Sequence, residues 1–410
     1  MRVCRKWREY AILTPSLWSR VSLGKRHREI SSSLLNIKVN EWMDRAGSIP
    51  LYIDVYYQPY RGLSRRTAGD AALLDIFSLS RAWHSVSLEM DTGSRTPCID
   101  FILDVVLKYS PTLQCFEFYF QGYHNIHPSY VTRVGWLLKP IEVGDSSHLT
   151  SLTVAQGHTH PFRLCLPTVK LLSIKHLHLQ WPETIDHSLE ILDHCPHVEV
   201  LHISIRPQLQ AHTGTTSLTM QTLHTLRIYS TSDECVAKFI DGLRTPALTT
   251  FSMCTNSLCS SDSSSRSRWP HLSDLFARSQ SPLTYCEFLR TPMLDDDIIK
   301  CLQHTPALTN LSGDEHLWTI KVTEAMMPSI NPNIISLCPC VTTVVVHGIG
   351  GGFVNAATMI SSRIQMEMDG KSIQIVAVDL VELGREDLDV FIRFEGLEEY
   401  VARGHDHFLQ

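Results

Sequence analysis

The stretch SLEILDHCPHVEVLHISI, residues 188–205, contains the unit from which the rest of the chain is built. Its first half places apolar residues on one side of a short helix. Pro196 ends that helix, because proline lacks an N–H group and disfavours helix in the residue before it. In the second half, Val198, Leu201 and Ile203 have the spacing 0, +3, +5, which predicts a short strand with one buried face. One such unit cannot bury its apolar face alone, so it requires stacked copies.

The same spacing recurs along the chain. The copies are Leu113/Phe116/Phe118, Leu149/Leu152/Val154, Val169/Leu172/Ile174, Leu223/Leu226/Ile228, Leu248/Phe251/Met253, Leu283/Cys286/Phe288, Val341/Val344/Val346 and the degraded Leu308/Leu311/Gly313. In six units a proline stands two residues before the first apolar position: Pro111, Pro167, Pro196, Pro246, Pro306 and Pro339. The eight steps from Leu113 to Val341 cover 228 residues. The mean period is therefore about 28 residues, within the leucine-rich-repeat range.

This repeat predicts an α/β leucine-rich-repeat solenoid, with a curved parallel sheet and helices on its convex side. An ordinary α/β domain whose strands follow prolines is the alternative. The predicted strands include 116–119, 172–175, 200–204, 225–229 and 344–346. Positions +4 and +6 of each unit then point away from the core and line the concave side. There we expect partner-binding residues, with tyrosine and arginine as usual interface anchors: Glu117, Tyr119, Lys175, His202, Arg227, Tyr229 and Glu287.

Composition favours an intracellular protein, cytoplasmic or nuclear. The 410 residues are 43% hydrophobic and carry a formal net charge of −6, so neither nucleic acid nor an anionic membrane is expected as a partner. No stretch approaches 18 apolar residues, and the N-terminus lacks the apolar run of a signal peptide. The twelve cysteines are then expected to be reduced and mostly buried.

The chain divides into three predicted segments. Residues 1–48 form a short helical region, 49–385 form the repeat solenoid, and 386–410 form an acidic tail. Within the solenoid, 206–222 and 255–270 are predicted loops. The second loop is serine-rich, and its serines beside two arginines could be phosphorylated or simply solvated.

A resemblance becomes specific in the first 55 residues. The residues that carry it are Cys4-Arg5, Trp7-Arg8, Ala11, Pro15, Leu17 and Trp18. They resemble the C-terminal half of an F-box, and the following WMDRAGSIPLYIDV, residues 42–55, resembles the segment after the F-box in fungal, basidiomycete-type F-box-like proteins. Members of that family carry irregular leucine-rich repeats.

The resemblance implies docking to a Skp-type adaptor of cullin–RING (SCF-type) ubiquitin ligases. The adaptor-docking candidates are Val3, Trp7, Leu17 and Trp18. An F-box normally begins with a Leu-Pro-containing segment and a first helix, which the quoted residues do not include, so we expect weak docking. The alternative for the two tryptophans is a hydrophobic cap over the first repeat.

No catalytic, cofactor or metal site emerges from the sequence. His176 and His178 would share one face of a strand, but no third ligand stands at a helical spacing to complete a metal site. His347-Gly-Ile-Gly-Gly-Gly-Phe353 follows a strand and precedes a helix, a context that suits a phosphate cradle or an oxyanion loop. It lacks a Gly-x-Ser-x-Gly elbow and a P-loop lysine, and a repeat turn explains its glycines.

The function predicted is therefore non-enzymatic: an F-box-like substrate-recognition subunit that binds an unidentified protein. Two alternatives remain open at this point. One is a leucine-rich-repeat scaffold without adaptor docking. The other, from a different class, is a hydrolase or nucleotide-binding enzyme that uses the loop 347–353, and it requires a nucleophile or a phosphate-binding lysine nearby.

Overall fold

The fold comes from a computed structural model. It describes residues 4–23, 32–57, 71, 73–78, 82–91, 97–121, 140–144, 148–156, 162–207, 217–255, 268–327, 336–347, 351–368 and 377–381. The chain divides into two compact units, Met1–Ile203 and Ser204–Gln410. Both units are α/β, and their main strands pair in parallel. The predicted tail 386–410 lies outside the described residues.

The first unit alternates strands with helices around a parallel sheet of order β1-β2-β3-β4-β6-β8-β9. The strands are β1 (Arg20–Leu23), β2 (Leu51–Tyr57), β3 (Trp83–Asp91), β4 (Cys115–Gln121), β6 (Ser151–Gln156), β8 (His176–Gln180) and β9 (Val200–Ile205), in which the unit boundary falls; β5 (Ile141–Glu142) and β7 (Leu164–Cys165) form a separate pair. The helices are α1 (Arg5–Ile12), a 3-10 helix (Pro15–Trp18), α2 (Ser32–Ala46), α3 (Pro97–Tyr109), α4 (Ile185–His194) and a short stretch at 73–78.

The second unit repeats the pattern with sheet order β11-β13-β14-β15-β16-β17. The strands are β11 (Thr225–Ser230), β13 (Thr250–Thr255), β14 (Tyr285–Leu289), β15 (Asn310–Gly313), β16 (Thr343–His347) and β17 (Ala377–Val381), with β10 (Leu218–Thr219) and β12 (Leu243–Arg244) as a separate pair. The helices are α5 (Asp233–Asp241), α6 (His271–Ser279), α7 (Asp295–Gln303), α8 (Ile320–Met326) and α9 (Gly351–Met368).

The predicted repeat triplets form the core of both units. Every described triplet from Leu113 onward, apart from the one at Val169, is buried at all three positions. Neighbouring strands hold these residues in one register: in the second unit Leu226 pairs with Phe251, which in turn pairs with Cys286. The predicted strands at 116–119, 200–204, 225–229 and 344–346 are confirmed.

The predicted strand at 172–175 is wrong. The strand begins at His176, and the exposed fractions of Val169 and Leu172 are 61% and 57%. Two overlapping sets of residues have the 0, +3, +5 spacing here, and only the second set, Ile174/Leu177/Leu179, is buried at every position. The proline rule selected the first set, and burial of apolar surface selects the second.

The helices bury one face against the sheet and against their neighbours. In the second unit α5 packs on α6, α6 on α7, α7 on α8 and α8 on α9. The ring of Phe276 on α6 meets that of Phe251 on β13 at 5.4 Å in an edge-to-face contact. Several of these helices have an N-cap residue whose side-chain oxygen accepts a backbone N–H of the first turn. Ser232 does so for α5 and Thr319 for α8. Such caps satisfy amides that have no partner within the helix.

A threonine ladder joins the beginnings of the strands. In the second unit threonine follows the first apolar position of every triplet except the one at Leu223, where His224 stands instead. Each of these threonine hydroxyls donates to the backbone carbonyl of the preceding repeat. Thr309 Oγ1 donates to Thr284 O at 2.9 Å, and that carbonyl also accepts the N–H groups of Thr309 and Asn310 at 3.0 and 2.9 Å. The same hydroxyl bond occurs at Thr249, Thr284 and Thr342, and in the first unit at Thr150.

A buried arginine side chain caps the C-terminal end of α8. Arg363 on α9 is fully buried, and its guanidinium donates to the carbonyls of Met326, Leu337 and Cys338 at 2.8–3.2 Å. Burial lowers the pKa of this guanidinium. Its donors replace the intrahelical partners that the last carbonyl groups of a helix lack.

Among the described residues, no helix combines the length and the apolar character needed to cross a membrane.

Candidate functional site

The adaptor-docking candidates fall into two environments. Val3 lies outside the described residues. Trp7 and Leu17 are largely exposed, whereas Trp18 is half-buried. Trp18 packs edge-to-face on Trp42 with ring centres 4.7 Å apart. Trp18 is therefore packed on α2, whereas Trp7 lies in solvent.

Four apolar side chains form what we call the N-terminal surface: Trp7, Tyr10, Leu13 and Leu17. Their exposed fractions are 70%, 67%, 77% and 59%. Helix α1 buries none of its residues, although apolar side chains normally drive a helix onto its neighbours. Adjacent exposed apolar residues of this size are typical of interaction sites.

Local bonds hold the N-terminal surface in place. The indole Nε1 of Trp18 donates to the carbonyl of Ala11, next to the end of α1. The guanidinium of Arg45 on α2 lies 4.7 Å from the centre of the Trp18 ring, a cation–π contact. Thr14 Oγ1 donates to Tyr10 O at 2.7 Å. These contacts link the end of α1, through Trp18, to α2 without covering the four exposed side chains.

In the first unit the predicted strand-face residues lie on separate strands. Glu117 and Tyr119 share a face of β4, and Ser87 Oγ donates to Glu117 at 3.1 Å. Burial, and then the charge of Glu117, raises the pKa of Tyr119. Lys175 precedes β8 instead of lying within it, and its ammonium group forms a 2.9 Å ion pair with Glu199.

His202 was predicted as a partner-binding residue, and the structure places it beside another histidine. Its ring and that of His178 on β8 are 5.7 Å apart, centre to centre. His176 and His178 share one side of β8, as predicted, because the intervening Leu177 is buried on the other.

In the second unit Arg227 and Tyr229 lie on β11, two strands away from Glu287 on β14. The Arg227 side chain is exposed, and Tyr229 is half-buried. Burial, and then the charge of Glu287, raises the pKa of Tyr285 on β14. The charge of Arg227 opposes this shift. The three predicted residues therefore share one strand face, with Ser252 of β13 between them in register.

Glu287 is the centre of a hydrogen-bonded group that we call the Glu287 cluster: Ser252, Glu287, Ser312 and His347. Ser252 Oγ donates to Glu287 Oε2, and Ser312 Oγ donates to Glu287 Oε1 at 3.2 Å. His347 Nε2 lies 2.9 Å from Ser312 Oγ and 3.5 Å from Glu287 Oε1. The cluster therefore joins four adjacent strands, β13 to β16.

The cluster stabilises the ionised carboxylate. The hydrogen bond from His347, together with those from Ser252 and Ser312, lowers the pKa of Glu287 from its usual value to about 2, and partial burial opposes this shift. Hydrogen bonds to the charged form of an acid favour that form. At neutral pH the cluster therefore contains a fixed negative charge.

The contact between Ser312 and His347 supplies a nucleophile and a base at hydrogen-bonding distance, which the sequence did not indicate. Catalytic triads place the acid on the opposite ring nitrogen from the serine, so that the acid orients the base. Here Glu287 and Ser312 approach the same atom, Nε2. Ser312 is also 1% exposed, so a substrate carbonyl cannot reach its hydroxyl. The geometry favours a structural hydrogen-bond network.

The glycine-rich segment has a packing role in its described part. Gly352 is in the first turn of α9, and a Cβ at this position would lie 2.6 Å from Cα of Glu315. Glycine here allows α9 to approach the residues that follow β15. The remainder of the loop, 348–350, lies outside the described residues.

Sequence reasoning omitted Ser252, Ser312 and His347 from the predicted site. The signal was present, because all three occupy the +4 or +6 positions from which Glu287 and Arg227 were selected. Selection by residue type favoured tyrosine and arginine. Aligning neighbouring strands in register would instead have placed the carboxylate of Glu287 beside the hydroxyls of Ser252 and Ser312 on the adjacent strands.

No protein-family model matches the chain, and no curated protein matches it at significant similarity.

Proposed function

We propose that this chain is a non-enzymatic protein–protein interaction module: an F-box-like substrate-recognition subunit of a cullin–RING ubiquitin ligase. The N-terminal surface would dock a Skp-type adaptor, and the strand faces of irregular leucine-rich repeats would bind a protein substrate. The observation that carries the proposal is the exposure of Trp7, Tyr10, Leu13 and Leu17 on α1 and the turn after it.

The chemistry of this surface suits a partner that offers an apolar groove for a helix. The exposed apolar stripe follows helical spacing over α1 and continues into the 3-10 helix. Apolar anchors spaced three or four residues apart are typical of helix-in-groove recognition. Tryptophan and tyrosine dominate the binding energy of such interfaces.

Direct binding of a purified Skp-type adaptor to the full chain tests the proposal. We expect weak binding, because the resemblance covers the C-terminal half of an F-box. Replacing both Trp7 and Leu17 by alanine should reduce the affinity at least about tenfold. The matched control is Ile320→Ala, which removes a similarly exposed apolar side chain of α8 and should leave binding unchanged.

Two outcomes would contradict adaptor docking. One is the absence of adaptor binding by the wild-type chain; the other is equal affinity of the wild type and the Trp7→Ala, Leu17→Ala variant. Either result would favour a repeat scaffold that binds proteins through its strand faces alone. Binding through the strand faces is then tested by affinity purification of bound proteins, in which the wild type is compared with the double variant Arg227→Ala, Tyr229→Ala.

A further inference from the structure

The pair His178 and His202 has a geometry that the proposed function does not use. The two residues lie on neighbouring strands, β8 and β9, of the first unit, and both are half-buried on the face opposite the core. Their ring centres are 5.7 Å apart, and the ring planes are inclined by 70°. No local spacing pairs them, since 23 residues lie between them along the chain.

The separation matches that of two imidazoles sharing one metal ion. Zn²⁺ binds imidazole nitrogen at about 2.0–2.1 Å with tetrahedral angles, which holds two ring centres about 5 Å apart. The observed 5.7 Å is slightly longer, so the two rings would have to move closer together to share an ion. The strands themselves are fixed by backbone bonds, including Val200 N to Lys175 O at 3.0 Å.

The surroundings suit a cation. Both rings are half-buried on one face of the sheet, and imidazole binds metal ions in its neutral form. At the beginnings of these strands, Lys175 and Glu199 form an ion pair with each other. This pair therefore adds no net positive charge beside the two rings.

We propose that His178 and His202 form a two-histidine site for a divalent transition ion of the Zn²⁺, Ni²⁺ or Cu²⁺ class. Within the described ranges, no group of three or more His, Cys, Asp or Glu residues is arranged to hold a metal ion. The site is accordingly open, with two protein ligands and its remaining positions filled by water. A side chain of a bound protein can occupy those positions.

Calorimetric titration of the metal-free full chain with Ni²⁺ and Zn²⁺ at pH 7.4 tests this proposal. Exposed thiols such as Cys165 are first alkylated, because thiolates compete for both ions. We expect His178→Gln and His202→Gln each to weaken the tightest binding event at least about tenfold. The matched control, His197→Gln, removes an exposed histidine from the turn before β9 and should leave that event unchanged.

Electron paramagnetic resonance of the Cu²⁺-loaded chain checks the ligand count independently. The wild type should show coupling to two imidazole nitrogens, and each single variant to one. Urea-unfolding midpoints identify a variant that fails to fold, in which case the other histidine variant carries the test. The proposal is overturned if the wild type binds no ion, or if both folded variants bind as tightly as the wild type.

Discussion

The N-terminal surface and the Glu287 cluster are two regions with opposite relations to water. The first exposes four large apolar side chains that no described residue covers. The second is polar and half-buried, and its members bond to one another across four strands. The N-terminal surface therefore gains free energy when a partner covers it, whereas the Glu287 cluster has already formed its bonds within the fold.

The difference separates a binding role from a structural one. Satisfied polar groups on a rigid sheet give stability and a defined shape, but they offer few free donors or acceptors to a ligand. Exposed apolar groups contribute little to folding and are the usual source of interface energy. Substitutions in the two regions should therefore affect different measurements.

Glu287→Ala should give the largest loss of stability. The hydroxyls of Ser252 and Ser312 would lose their acceptor, and His347 would lose its neighbouring carboxylate. We expect a cost of about 2–4 kcal/mol in the free energy of unfolding. Urea unfolding followed by circular dichroism measures it. Glu117→Ala is the control, because Glu117 occupies the same strand position on β4 and accepts a hydrogen bond from Ser87; its cost should stay below about 1 kcal/mol. Equal losses in the free energy of unfolding for Glu287→Ala and Glu117→Ala would show that the Glu287 cluster gives no special stability.

Acid should weaken the cluster selectively. The pKa of Glu287 is depressed to about 2 in the folded chain, so its contribution is complete above the ordinary glutamate pKa and is lost as pH falls below about 4.5 toward 2. The full contribution is about 3 kcal/mol. We expect the stability of the wild type to fall more steeply over this pH range than that of Glu287→Gln, which cannot titrate. Parallel pH profiles would show that the hydrogen bonds do not favour the anion.

Trp18→Ala should release the N-terminal surface from the rest of the first unit. The variant loses the contact with Trp42, the cation–π contact with Arg45 and the bond to Ala11. We expect a cost of about 2 kcal/mol, confined to α1 and α2. Hydrogen exchange of the α1 amides measures it. Trp18→Phe keeps the ring packing and should lose about half as much; unchanged exchange in both variants would contradict the role of Trp18.

Trp7→Ala should have the smallest effect on folding. The side chain is 70% exposed, and surface substitutions usually change stability by less than about 0.5 kcal/mol. The same variant should weaken adaptor binding, so thermal unfolding and a binding assay together separate the two roles. A drop of several degrees in the melting temperature would show that Trp7 supports the fold.

Much of the fold was predictable because the apolar residues that are buried in the core recur at a regular spacing in the sequence. The triplets at Leu248 and Leu283 predicted their strands, since a parallel strand packed on a helix layer needs apolar residues at alternate positions. The error at Val169 arose where two triplets overlapped. Local spacing could not choose between them, because the choice depends on which residues the helix layer covers.

The site was less predictable than the fold. The exposed Trp7 and the half-buried Trp18 have the same residue type and similar neighbours in sequence, and only the packing of α2 distinguishes them. The Glu287 cluster and the His178/His202 pair each join residues from separate repeats. Their formation depends on strand register, which the spacing inside one repeat does not specify.

The threonine ladder also explains how repeats of unequal length coexist in one protein. In the units that contain this threonine, the residues that set the position of the strand run from the first apolar residue, through the threonine after it, to the last apolar residue at +5. Everything between one such set and the next can lengthen without shifting the alignment, since each Thr hydroxyl realigns the chain on its neighbour. Insertions would therefore accumulate outside these six residues, and a single residue added between Leu283 and Thr284 would be more harmful than a long addition elsewhere in the repeat.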